Sequence, residues 1–266
     1  MTETTTFTQE WQAWHQQHQD DLAAPHGFLA ITAIHWLSGE EQRFTGIPGS
    51  WSTDAAGVHV RLDGGEELRD GADVIRGEHD LGLIPERGGH DVQFGDIVIE
   101  IARRGGYDIL RPRDPQNPLR VDFRGTPAYE PNPDWVVAGR YVPFPEPKDV
   151  TVGAAVEGLQ HVYSSPGRVE FEVDGRTHSL TTWDGKNPGD LSVLFTDRTS
   201  GVTTYAANRS LQIPAPDSGG RVILDFNRAA NLPCAYTDLA TCPLPPEENR
   251  LDFAVEAGEQ IPYERR

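Results

Sequence analysis

The sequence predicts a mainly β protein: antiparallel β-sandwich or β-barrel units preceded by an N-terminal α-helix and followed by a long ordered C-terminal loop. Three observations carry this expectation. From Val58 onward apolar and polar residues alternate in short runs, as in Val58-His59-Val60-Arg61-Leu62 and Ile97-Val98-Ile99-Glu100-Ile101, the period-two pattern of half-buried strands. Between the runs stand Asp-Gly and Gly-Gly pairs, which supply the positive φ angles of tight hairpin turns. The alternation stops at Leu224, and residues 225–251 then hold four prolines, both cysteines and enough Leu, Phe and Tyr to argue against disorder.

At the amino terminus Thr6 and Gln9 fit a capping box, and Phe7, Trp11, Trp14, His15, His18 and Leu22 fall on one stripe at helical spacing. Ala24-Pro25-His26-Gly27 ends this helix. A short apolar segment over 28–37 follows, with turns at Ser38-Gly39 and Ile47-Pro48-Gly49-Ser50 before Trp51. The strand patterns at Val58, Ile97 and Tyr107 are joined by Asp63-Gly64-Gly65 and Arg104-Gly105-Gly106, both read as hairpin turns. Residues 112–133 are rich in Pro, Asp and Asn and suggest a boundary between a unit over 1–125 and a barrel-like unit over 126–266; the same stretch also suits a crossover within one domain. In the second unit strands are expected over 135–140, 150–156, 169–173, 179–183, 192–196, 203–205 and 221–224, with a type I′ hairpin at Asp174-Gly175.

A chain of 266 residues with 37% hydrophobic content can bury a core without metals or disulfides. Its formal charge of −18 repels phosphate backbones and anionic headgroups, so neither nucleic acid nor a membrane surface is an expected partner. No apolar run reaches the roughly 20 residues of a membrane span, and Met1-Thr2-Glu3-Thr4 has no basic, apolar leader pattern. A cytoplasmic location with free thiols is therefore expected, which makes the sequon Asn208-Arg209-Ser210 incidental.

Cys234 and Cys242 offer the softest ligands and strongest nucleophiles in the chain. Their spacing exceeds that of a zinc knuckle and no second ligand pair follows, so no metal is expected there. A thiol-dependent hydrolase would need a distant base, with His161 and His178 as candidates; burial as structural thiols is the competing reading. His15 and His18 stand three apart on the helix, but Asp21 lies too far along it to close a metal site, and packing is the expected role. There is no nucleophile elbow, zinc-protease helix or phosphate loop, and no cofactor is implied. The polar set of the loop, Asp225, Asn227, Asn231, Tyr236, Glu248, Asn249 and Arg250, either satisfies irregular backbone or lines a pocket. Arg140, Tyr205 and Arg209 join it as candidate ligand contacts, with a guanidinium gripping a carboxylate or a salt bridge to Asp225 or Glu248 as alternatives for Arg209.

The runs Thr199-Ser200-Gly201-Val202-Thr203-Thr204-Tyr205, Asn208-Arg209, Asp225-Phe226-Asn227, Pro233-Cys234-Ala235, Thr241-Cys242-Pro243-Leu244-Pro245-Pro246, Glu248-Asn249-Arg250-Leu251 and Ala257-Gly258-Glu259 resemble the domain of unknown function 1684 family in order and spacing. Gly27-Phe28-Leu29, His35-Trp36-Leu37 and Pro48-Gly49 extend the likeness. The resemblance implies a bacterial or archaeal protein without an established reaction, and no catalytic residues to carry over. The expected function is binding, with turnover left open, of a small polar or anionic molecule in a pocket capped by the 225–251 loop. The alternatives are a non-catalytic structural or interaction protein in which the loop only plugs the barrel, and the thiol hydrolase. Oligomeric state is not legible in the sequence.

Overall fold

The structure, a computed structural model, describes residues 2–265, with side chains from Thr6 onward. It is mainly β: three antiparallel sheets in sandwich-like arrangements, one long N-terminal helix and, among the described residues, no closed barrel. Among the described residues no helix is long and apolar enough to cross a membrane. The chain separates into two compact units, one formed by residues 20–123 and one by residues 124 onward together with the first nineteen.

In the 20–123 unit a four-stranded sheet runs in the order Gln42–Arg43, Ser50–Asp54, Gly57–Arg61, Glu78–Gly82. A six-stranded sheet runs His35–Trp36, Tyr107–Arg113, Ile97–Arg104, Gly89–Phe94, Leu68–Asp70, Asp73–Ile75. One core joins the two, with Trp51, Val58 and Val60 from the first sheet and Val92, Ile99, Ile101 and Leu110 from the second. Trp51 is wholly buried, and its Nε1 donates to the Pro48 carbonyl at 2.8 Å, so the large ring enters the core without an unpaired donor. Arg104-Gly105-Gly106 makes the expected hairpin, with positive φ at both glycines. Asp63-Gly64-Gly65 does not: it carries the chain from one sheet to the other, because Gly57–Arg61 pairs with Glu78–Gly82 while Leu68–Asp70 pairs with the opposite sheet. A Gly-rich turn reports local backbone freedom, which serves either connection.

The other unit holds a seven-stranded sheet in the order Arg221–Asp225, Val136–Gly153, Gln160–Val173, Arg176–Asp184, Leu191–Phe195, Arg209–Ile213, Ala230–Asn231. The two runs expected over 135–140 and 150–156 are one strand. Pro143, Pro145 and Pro147 lack the N–H a ladder needs, and the register with Gln160–Val173 shifts between Pro143 and Lys148 instead of breaking. Asp174 and Gly175 take φ of 51° and 70° and close the expected hairpin. The strand expected over 203–205 is a turn, and Arg209–Ile213, which the reading passed over, pairs with Leu191–Phe195. Its inward positions are Arg209, Leu211 and Ile213, so the inward arginine broke the apolar pattern. The core gathers Phe171, Leu180, Val193, Phe195, Leu211, Ile213, Leu224 and Phe226, and the late residues Leu251, Val255 and Ala257 pack into it.

The helix Thr2–Leu22 begins before Thr6, which is therefore an interior residue and not an N-cap. Its expected apolar stripe is the covered face: Trp11, His15 and Leu22 are buried, and Phe7, Trp14 and His18 are partly so. Trp11 Nε1 donates to the Asn227 carbonyl at 2.6 Å, tying the helix to the start of the 225–251 segment.

Gly57 has φ of 122°, and a Cβ there would lie 2.1 Å from the Gly82 carbonyl group. Gly57→Ala should cost about 3–5 kcal/mol in equilibrium unfolding, whereas Gly95→Ala, at φ 59° with open space around it, should cost about 1–2 kcal/mol. Equal losses would show that the close approach is not what selects glycine at 57.

Burial alone would raise the Glu100 carboxyl, but Arg111 and Arg113, its hydrogen-bonded neighbours, hold it below its ordinary value of 4.5. A depressed carboxyl contributes stability that is complete above that value and is lost as pH falls through the lower folded-state value. Wild type should accordingly lose stability from about pH 5 downward, and Glu100→Gln should start less stable at neutral pH and lose less on acidification. Parallel acid-unfolding curves for the two proteins would contradict this.

Candidate functional site

Residues 225–251 form an ordered segment whose polar side chains serve the backbone around them. Asp225 ends its strand and caps the following turn: Oδ1 accepts from Asn227 N at 3.2 Å and Asn227 Nδ2 at 2.9 Å, while Oδ2 lies 3.2 Å from Arg228 Nε. Asn227 accepts from Asn132 N at 2.8 Å and donates to Asn132 O at 3.0 Å. Asn249 replaces a missing ladder. The strands Arg176–Asp184 and Leu191–Phe195 pair only at Trp183–Ser192 and Asp184–Leu191. Where they part, the Asn249 amide accepts from Thr181 N at 2.7 Å and donates to Thr181 O at 2.9 Å and Leu194 O at 2.8 Å. Glu248 is exposed and accepts from Thr181 Oγ1 at 3.1 Å, and Arg250 is exposed.

Arg209 faces neither Asp225 nor Glu248. Its guanidinium is 1% exposed and pairs with the equally buried Asp197, with Nη2 at 2.8 Å from Oδ2. Nη2 also donates to Val255 O at 3.0 Å, and Nη1 donates to the carbonyls of Ala257 and Glu259. Asp197 Oδ1 accepts from Thr199 N at 2.7 Å, Thr199 Oγ1 at 2.6 Å and Val255 N at 3.2 Å. Burial pushes the arginine down from its ordinary value and Asp197 opposes that shift. The grip on a ligand carboxylate expected of Arg209 is thus replaced by a grip on Asp197 and the chain's own late segment.

That segment delivers a buried carboxylate which the sequence reading did not single out as a site. Gly258, at φ 75°, passes so close to Ala229 O that a Cβ would lie 2.5 Å from it. Glu259 follows, wholly buried, and its Oε2 accepts from Asn231 N at 2.7 Å with the Tyr236 hydroxyl at 3.5 Å. The Tyr236 hydroxyl is itself bonded to Thr126 Oγ1 at 2.8 Å, and burial, then the charge of Glu259, push it well above the usual tyrosine value. Glu259 Oε1 lies 3.3 Å from His15 Nε2 and 3.5 Å from His18 Nε2. The Gln19 carbonyl accepts from Thr126 N at 3.1 Å, so its amide nitrogen faces His15 Nδ1 at 3.1 Å. His15 Nδ1 then accepts, and the ring carries its proton on Nε2, toward Glu259. A metal ligand at Nε2 would need the opposite tautomer, and no set of three or more His, Cys, Asp or Glu among the described residues can hold a metal ion. The signal that pointed to Glu259 was the glycine before it, which marks a close backbone approach.

The family model described as protein of unknown function (DUF1684) matches residues 121–260, just over half of the chain. The chain belongs to this family. A solution NMR structure of an uncharacterized protein from Haloarcula marismortui is 32% identical, covering 53% of this chain and 78% of that one, with a TM-score of 0.44. No curated protein matches. The DUF1684 window contains Arg209, Asp197, Asn249 and Glu259, whereas His15 and His18 lie outside it.

Within the DUF1684 region both cysteines are buried and unbonded, packed with Ala240, Leu232 and Tyr205. Contact with the Cys242 thiol, then burial, raise the Cys234 thiol far above its ordinary value, which opposes a thiolate nucleophile. Burial, then Cys234, raise the half-buried Tyr205 hydroxyl. His161 Nε2 donates to Thr241 O, 2.8 Å away, and the His178 ring lies tilted against Phe253, 4.7 Å between centroids. Two open grooves lie elsewhere. One of about 440 Å³ is lined by Ala138, Arg140, Glu170, Glu172 and Thr177, among others. The other, of about 650 Å³ in the 20–123 unit, is lined by Ile47, Pro48, Leu68, Arg69, Gln93 and Phe94 with glycines at its rim. Neither is lined by residues 225–251.

Removing the Asn249 amide leaves Thr181 N, Thr181 O and Leu194 O without partners. Asn249→Ala should lower stability by about 2–4 kcal/mol, and Arg250→Ala by about 0.5 kcal/mol or less. Denaturant titrations of both variants check this, and similar midpoints would remove the bridging role.

Proposed function

We propose that this protein is a non-catalytic binding protein in which residues 225–251 plug the C-terminal unit and the ligand-facing surface is the groove beside Arg69. What supports the plug is the engagement of Asp225, Asn227, Asn231 and Asn249 with neighbouring backbone, together with the buried, proton-retaining Cys234. The binding expected under the loop is moved to the surface that presents the Arg69 and Gln93 side chains.

The observation that carries the reading is the pairing of Arg69 with Gln93. They stand directly opposite each other on neighbouring antiparallel strands, both exposed, so a guanidinium and an amide project side by side. The Arg69 side chain makes no hydrogen bond or ion pair among the described residues, while Glu66 and Glu67 in the same groove are already paired with Arg43 and Arg76. Two donor groups above the apolar surface of Leu68, Ile47 and Phe94 suit a small carboxylate or phosphate ester carrying an apolar part. Nucleic acid and anionic membranes remain poor partners for a chain of this charge, and a cytoplasmic setting fits the free thiols.

Calorimetric titration with a panel of small carboxylates and phosphate monoesters tests the proposal. At least one should bind wild type, and Arg69→Ala should weaken that binding about tenfold or more without a change in melting temperature. No binding by wild type, or binding that Arg69→Ala leaves intact, would reject the groove.

A further inference from the structure

The two cysteines are not separate structural thiols. Cys234 is the middle residue of the turn Pro233–Ala235, and Cys242 closes the stretch that returns beside it. The backbone N–H of Cys234 donates to the Cys242 sulfur at 3.3 Å, which places that sulfur against the main chain of its partner residue. The two side chains pack in one buried cluster. Ala240, Leu232 and Tyr205 surround the pair, 3% and 8% exposed, which shields it from another protein's thiol.

We propose that Cys234 and Cys242 form an oxidisable dithiol that a peroxide converts to an intramolecular disulfide. The chemistry needs one peroxide molecule. Cys242, whose sulfur accepts from the Cys234 N–H, attacks a peroxide oxygen; the O–O bond breaks, the departing oxygen takes the Cys242 thiol proton and leaves as water, and Cys242 becomes a sulfenic acid. The Cys234 sulfur then attacks the sulfenic sulfur, forming the S–S bond and releasing the sulfenic oxygen as water, the thiol proton completing it. Two S–H bonds and one O–O bond are exchanged for one S–S bond and two waters. The product encloses nine residues, Cys234 to Cys242, including Asp238, which Arg265 holds by a 2.6 Å ion pair while donating to the carbonyls of Cys234 and Ala235. Oxidation therefore joins two ends of a segment already clasped by Arg265.

Folded wild-type protein is treated with hydrogen peroxide, quenched with an alkylating agent, digested without reductant and mapped by mass spectrometry. Both thiols should disappear together, a linked peptide pair containing Cys234 and Cys242 should appear, and dithiothreitol should restore both. Independent sulfinic or sulfonic acids, chain-to-chain disulfides, or no loss of thiol at a peroxide dose that oxidises the urea-unfolded chain would overturn the proposal. In Cys234→Ser a dimedone adduct should accumulate on Cys242, and its absence would overturn the assignment of Cys242 as the sulfur oxidised first. The wild-type linkage map remains decisive even if that variant does not fold.

Discussion

The C-terminal unit depends on one buried ion pair, Arg209 with Asp197. Removing two charges from water is costly, and their mutual attraction offsets that cost only when the remaining donors and acceptors are also satisfied. Here the carbonyls of Val255, Ala257 and Glu259 take the guanidinium protons, and Thr199 and Val255 supply donors to the second carboxylate oxygen. The consequence is positional. Residues 255–259, which have no strand of their own, are held against the strand Arg209–Ile213, and Val255 and Ala257 enter the core because the backbone between them is anchored.

From that anchor the next buried charge follows. Gly258 allows the chain to press against Ala229, and Glu259 then points at Asn231, Tyr236, His15 and His18. The N-terminal helix is fastened at the same place, through Trp11 to Asn227 and through Gln19 to Thr126. Gln19 Nε2 faces His15 Nδ1, which leaves the other ring nitrogen of His15 turned toward the carboxylate, 3.3 Å away. Histidines three apart on a helix are read as a metal motif only when their proton positions allow it.

Irregular backbone explains the 225–251 segment in the same terms. A buried stretch outside any ladder must find partners for each N–H and C=O, and short amides reach them locally. Asn249 serves two diverging strands, and Asn227 binds Asn132 through both ends of its amide. Groups so engaged have little left to offer a ligand. Arg69 and Gln93, unremarkable in sequence, stand exposed and adjacent because the register of two strands brings them level.

By itself the sequence determined the periodic elements: the β class, the helix stripe of Trp11, His15 and Leu22, and the turns at Gly105-Gly106 and Asp174-Gly175. These are local properties, since alternation, helical spacing and positive φ are written within a few neighbouring residues. The resemblance of Ala257-Gly258-Glu259 and its companion runs also pointed correctly to the family. Partner choice was not local. Arg209 finds Asp197 rather than Asp225 or Glu248, Asp63-Gly64-Gly65 links two sheets rather than a hairpin, and Glu259 meets His15 across nearly the whole chain. Such pairings are fixed by the tertiary packing, because the free energy of a buried charge depends on which groups surround it in space, and the linear order of residues does not specify them.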